Sequence, residues 1–112
     1  MAKVIITERL EAAINKKFKR ESVIIFTILR TLADQPKKGK EVGVIGKIVI
    51  KELKYKQFRF YFVADGYSIK FLSAQELKDS LIKFVAMSGK KDQQEIIDWI
   101  KHILRTIGEE GF

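Results

Sequence analysis

Residues 52–62 read ELKYKQFRFYF, and the alternation within them sets the architecture. In FRFYFV (58–63), Phe58, Phe60 and Phe62 fall on one face of an extended chain, and Arg59, Tyr61 and Val63 fall on the other. KIVIKELKY (47–55) mixes β-branched residues with lysines, as a strand with one buried face does. Between the two runs, Lys56-Gln57 leaves room for a tight hairpin turn and nothing longer. Three phenylalanines on one face are expected to pack against helices. Arg59 then lies on the side away from them.

Working downstream, Asp65-Gly66 signals a turn and residues 67–72 a third strand. SAQELKDS (73–80) is polar and reads as a helical turn, with Ser73 as cap and Glu76 three residues on. LIKFVAM (81–87) reads as a further strand, followed by a turn at 88–91. Asp92 and Glu95 form a capping pair for a last helix whose apolar positions are Ile96, Ile100, Ile103, Leu104 and Ile107. Gly108 ends it.

Upstream, Leu10, Ala13, Ile14 and Phe18 form one helical stripe, interrupted by Lys19-Arg20-Glu21. Ser22 is placed to cap a second helix carrying Ile25, Ile28, Leu29 and Leu32, and Gln35-Pro36 stops it. Val4, Ile5 and Ile6 suggest a brief strand. Residues 37–46, with Gly39, Gly43 and Gly46 among lysines, read as a loop entering the sheet. The expected architecture is α+β: an N-terminal helical hairpin on a small antiparallel sheet of three or four strands, with a C-terminal helix. Residues 1–112 are expected to form one domain.

Of the 112 residues, 22 are Lys or Arg and 14 are Asp or Glu, for a formal charge of +8. Residues 37–59 alone carry +6, while residues 92–112 carry −3. A cluster of that size attracts polyanions, because neutralised phosphates release their counterions. The alternative is a lysine-rich solvated surface. With no cysteine and one histidine, disulfides, thiol nucleophiles and multi-histidine metal centres are excluded. Uncharged stretches such as 22–29 fall far short of the ~20 residues of a membrane span. The start MAKVIITERL lacks the pattern of a signal peptide, so a cytoplasmic location is expected.

Several motif readings yield to plainer ones. No strand precedes the glycines at 39–46 and no GK[ST] follows, so they are turn glycines rather than a phosphate loop. GVIG (43–46) has the spacing of a KH loop but leads into a strand. KQFRFYFV (56–63) lacks the small residues of an RNA-recognition strand, so its rings read as core. His102 neighbours Trp99 on the last helix without a nucleophile, and reads as a packing or surface residue. Lys47, Lys51, Lys54, Lys56 and Arg59, with Lys90-Lys91, remain as a basic set. Lys54, Lys56 and Arg59 are expected to share the face away from the helices. A basic concave sheet there would be able to bind RNA and stabilise a pentacovalent phosphate by charge alone; the plainer reading is a lysine-coated sheet face.

ELKYKQFRFYF (52–62), preceded by PKKGKEVGVIGKI (36–48) and followed by FVAMSGKKDQQEI (84–96), resembles the RelE/ParE toxin superfamily. The resemblance lies in the order of the parts: a helical hairpin ending near a proline, the E-L-R … Y-R-x-x-Y strand pair, then a strand ending in paired basic residues. It implies a toxin of a type II toxin–antitoxin system, a ribosome-dependent mRNA endoribonuclease without metal or other cofactor. The partners it implies are a cognate antitoxin, the ribosome and mRNA. By position, Arg59 matches the hairpin arginine, Lys54 the basic residue five before it, and Lys91 the basic residue after the last strand. Arg59 and Lys91 would be catalytic, with Lys47, Lys51, Lys54, Lys56 and Lys90 holding RNA. Two lysines of the family pattern fall at Ile50 and Glu52, and its C-terminal tyrosine falls near Ile97. The other reading is a non-catalytic binding protein on the same fold: either an inhibitor of a protein target such as gyrase, or itself a degenerate toxin relative. SAQELKDS lengthens a connection that the family keeps short.

Overall fold

A hairpin over residues 48–64 is the centre of the computed structural model, which describes residues 2–45, 47–66, 68–87 and 93–107. Strand β3 (Ile48–Tyr55) pairs antiparallel with β4 (Phe58–Ala64), in a register that sets Lys54 opposite Arg59 and Glu52 opposite Tyr61. Lys56 turns the chain with a positive φ of 54°. β5 (Ser68–Leu72) pairs antiparallel on the far side of β4, and β1 (Lys3–Ile6) pairs parallel with β5. β2 (Lys40–Ile45) completes a five-stranded mixed sheet in the order β1-β5-β4-β3-β2. The sheet is therefore mixed rather than antiparallel. β1 enters it through a pairing with a segment more than sixty residues away, which no local pattern announces.

One face is built as the alternation dictates. Leu10 and Ile14 of α1 (Glu8–Phe18), and Ile25 and Leu29 of α2 (Ser22–Arg30), pack on Leu53, Phe60, Phe62, Ile69 and Phe71. Thr7 caps α1 by accepting the Leu10 N–H at 3.3 Å, and Glu8 and Glu11 occupy the first turn where the helix dipole favours anions. A 3₁₀ turn, Lys19–Glu21, joins the two helices. Ser22 does not cap α2: it is the first helical residue, nearly buried, and its hydroxyl donates to the Lys19 carbonyl at 2.6 Å.

The opposite face is covered as well. Residues 73–87 are not a helical turn followed by a strand; α3 (Ala74–Met87) is one continuous helix. Its start is a reciprocal capping box: the Ser73 N–H donates to Glu76 Oε1 (2.9 Å), and the Glu76 N–H donates to Ser73 Oγ (3.1 Å). Leu77 and Leu81, four apart, bury one stripe against Ile50, Tyr61 and Leu72. A short apolar run such as 81–87 fits strand or helix equally well; burial of this stripe selects the helix. The C-terminal part is thus two helices, α3 and α4 (Gln93–Ile107), rather than one. Asp92 and Gly108, expected at the ends of α4, lie outside the described residues.

β2 occupies most of the stretch 37–46 that its glycines and lysines predict as loop. It forms a strand because Gly43 sits beneath α4: a Cβ there would lie 2.6 Å from Ile103 Cγ1, so glycine lets the helix seat on the strand. A bulge between Glu41 and Gly43 accommodates the approach. Gly39 does serve a turn, with φ +106°, whereas Gly46 lies outside the described residues.

Candidate nucleic-acid interface

The hairpin's outer end carries Lys54 and Arg59 side by side on the face shared with α3 and α4, because facing residues of an antiparallel pair point the same way. Lys54 is exposed, and the Arg59 side chain is 42% exposed. Arg59 Nη1 lies 3.9 Å from Oε2 of Glu52, whose side chain is 11% exposed. That oxygen is buried without a hydrogen bond, so the guanidinium supplies its charge compensation. Tyr61, two residues after Arg59 on the same face and opposite Glu52 in register, is fully buried. Burial, then the Glu52 charge, push the Tyr61 phenol above its ordinary pKa, while Arg59 beside it acts in the opposite direction.

The remaining members of the basic set do not gather around this pair. Lys51 points to the other face, where its Nζ donates to the Lys37 carbonyl at 3.1 Å. Strand alternation puts it there: Lys51 and Lys54 are three residues apart, an odd number. Lys56 sits in the turn and bonds Glu21 of the helical layer at 3.1 Å, a contact that raises its pKa through the hydrogen bond and then the charge. The expectation that Lys54, Lys56 and Arg59 share one face is thus corrected. Lys47 stands at the opposite end of β3, about 23 Å from Lys54 at ~3.3 Å per residue. Lys90 and Lys91 lie outside the described residues.

Two positions where the family pattern has lysines are accounted for by packing. Ile50 is 1% exposed in the core beneath α3, and Glu52 is the partner of Arg59. Ile97 lies on α4 and is partly exposed. The expected open concave sheet is filled in by α3 and α4, which leave the Lys54–Arg59 end as its basic margin.

A second concentration of cations lies at the α1–α2 elbow. Lys17, Lys19, Arg20 and Lys56 line an open cleft of about 520 Å³ together with Phe18, Glu21 and Phe58. In the sequence the elbow residues lie within KKFKRE (16–21), where Lys19-Arg20-Glu21 reads only as a charged break in a helical stripe. The fold brings that break against the hairpin turn.

Among the described residues, no group of three or more His, Cys, Asp or Glu side chains is arranged to hold a metal ion. Also among them, no helix is long and apolar enough to cross a membrane. No family model matches the chain, and no curated protein or solved structure matches it either.

Proposed function

We propose that this chain is a RelE/ParE-type toxin of a type II toxin–antitoxin pair, acting as a ribosome-dependent mRNA endoribonuclease. The observation that carries the reading is the Lys54–Arg59 pair, two cations facing each other across the outer end of the hairpin. The element order supports it too: a strand, two helices on one sheet face, then consecutive antiparallel strands. In this reading the ribose 2′-oxygen of mRNA attacks the adjacent phosphorus and the 5′-oxygen leaves. The products are a 2′,3′-cyclic phosphate and a 5′-hydroxyl, and the proton of the 2′-hydroxyl passes to the leaving oxygen through solvent. Lys54 and Arg59 stabilise the dianionic phosphorane by charge, and Lys91 completes the basic set. The cognate antitoxin neutralises the basic end of the hairpin.

One specific observation favours a second reading, a toxin-fold protein that binds without cutting. Arg59 already compensates a nearly buried Glu52, and a phosphate must compete with that carboxylate. The test is cleavage of mRNA on programmed ribosomes, mapped by primer extension, with wild type, Lys54→Ala, Arg59→Ala and Lys91→Ala. Cuts that weaken by ~10²-fold or more in the Arg59 variant support the nuclease. Folded wild-type protein that leaves mRNA intact, where an authentic interferase cuts it, selects the binding reading.

A further inference from the structure

We propose that the α1–α2 elbow and the β3–β4 turn together form a binding site for single-stranded nucleic acid, separate from the Lys54–Arg59 pair. Cations from three elements converge there: Lys17 from the end of α1, Lys19 and Arg20 from the 3₁₀ turn, and Lys56 from the hairpin turn. Glu21 is the acidic residue among those lining the cleft, so the site keeps a net charge of +3.

Two features distinguish this cleft from an ordinary lysine-coated surface. The first is that aromatic rings form its floor and hold the cations. Lys17 Nζ stands 4.6 Å from the centroid of Phe58, and Lys56 Nζ stands 5.5 Å from that of Tyr55. Phe18 meets Phe58 edge-on at 4.8 Å and Tyr55 edge-on at 6.4 Å, which fixes the rings. Cations ordered on rings lose less freedom when a phosphate arrives. Glu21 adds to that order by accepting from both Tyr55 Oη (3.2 Å) and Lys56 Nζ (3.1 Å).

The second feature is the backbone of Lys19, at φ 50° and ψ −110°, a conformation that favours glycine. The turn nevertheless presents a lysine. The strain is held in place by the bond from the Lys19 N–H to the Asn15 carbonyl and by the Ser22 hydroxyl on the Lys19 carbonyl. Residues kept in such conformations cluster where ligands bind.

Cations interleaved with partly exposed rings are the pattern that tracks a single-stranded backbone while bases stack. An acidic peptide satisfies the cations but gives the rings no stacking partner. Duplex leaves its bases inside. The site therefore fits single-stranded RNA or DNA, with phosphates on Lys19, Arg20 and Lys56, and a base taking the place of Lys17 Nζ on the Phe58 ring as that lysine turns to phosphate.

The test uses fluorescence anisotropy with a labelled twelve-nucleotide oligouridylate across a salt series, in the absence of ribosomes. Removing Lys17, Lys19 and Arg20 as Lys17→Gln/Lys19→Gln/Arg20→Gln should reduce affinity at least tenfold. It should also flatten the slope of log K against log salt by about 2, at ~0.7 per single-strand phosphate contact. Phe58→Leu, with helical content checked by circular dichroism, should weaken binding several-fold while leaving the slope unchanged. Lys54→Ala/Arg59→Ala should leave the elbow's contribution intact, so the site stands or falls independently of mRNA cleavage. An unchanged slope in the triple variant overturns the proposal. Binding lost instead through Lys54 and Arg59 also overturns it, as does an oligoglutamate of equal charge binding as tightly as the oligonucleotide.

Discussion

Arg59 and Glu52 sit on neighbouring strands with Nη1 3.9 Å from Oε2, a half-exposed cation beside a carboxylate that is 11% exposed. The carboxylate oxygen has no hydrogen bond, so its burial depends on the guanidinium. The same arginine is the residue proposed to meet phosphate, and structural and functional demands fall on one side chain.

Removing either partner should therefore have unequal effects. Arg59→Ala leaves Glu52 uncompensated and should cost about 1–2 kcal/mol in urea denaturation, below the 3–5 of fully buried pairs because Arg59 is solvated. Glu52→Gln/Arg59→Ala should recover most of that loss. Glu52→Gln alone releases Arg59 and should steepen the salt dependence of RNA binding. A double variant no more stable than Arg59→Ala would contradict the compensation argument.

Gly43 and Ile103 should show strong coupling. Gly43→Ala places a Cβ 2.6 Å from Ile103 Cγ1 and should destabilise the fold by about 1–3 kcal/mol, since the contact lies at the root of the side chain. Combining it with Ile103→Ala should cost less than the two single losses added together, as a double-mutant cycle would show.

Glu76 links two helices and gives the fold an acid-sensitive joint. Burial pushes its pKa up, but bonds from the Ser73 N–H and the Thr7 hydroxyl (2.7 Å) outweigh that and hold it below the usual value. A depressed carboxylate pKa stabilises the fold above the unfolded value near 4.5 and loses that contribution as pH falls through the folded one. Thermal melts of Glu76→Gln should accordingly show a flatter decline below pH 4.5 than wild type. Glu76→Ala should cost about 1–2 kcal/mol at neutral pH by removing the box.

Tyr61 should act at the other end of the scale. Its folded pKa is raised above 10.0, chiefly by burial, so its contribution is complete below pH 10 and is lost as pH climbs through the folded value. Tyr61→Phe should blunt the alkaline loss of stability, read as the melting temperature between pH 9 and 11.5.

Relief of backbone strain supplies a separate check on the elbow. Lys19→Gly should raise stability by about 1 kcal/mol, because glycine adopts φ 50° without the Cβ penalty. It should weaken oligonucleotide binding at the same time. Stability and binding are expected to move in opposite directions at this one residue.

The alternation in 58–63 and the lone Lys56-Gln57 turn determined the hairpin, the gathering of Phe58, Phe60 and Phe62 on one face, and the placement of Arg59 on the other. These are local consequences of a two-residue period, and the sequence carries them without help from the rest of the chain. Lys51 and Lys54 were also separable by that period, though composition alone grouped them. Tertiary structure decided the rest. It turned 81–87 into the second half of α3 by offering Leu77 and Leu81 a sheet to cover. It made a strand of 40–45 by seating Ile103 on Gly43. It paired β1 with β5 across more than sixty residues. It also brought the break at Lys19 and Arg20 against Lys56, assembling a basic cleft from segments whose charges are unremarkable when read one after another. Each of these rests on contacts between residues far apart in the chain, and periodicity within a segment cannot specify which other segment will bury its free face.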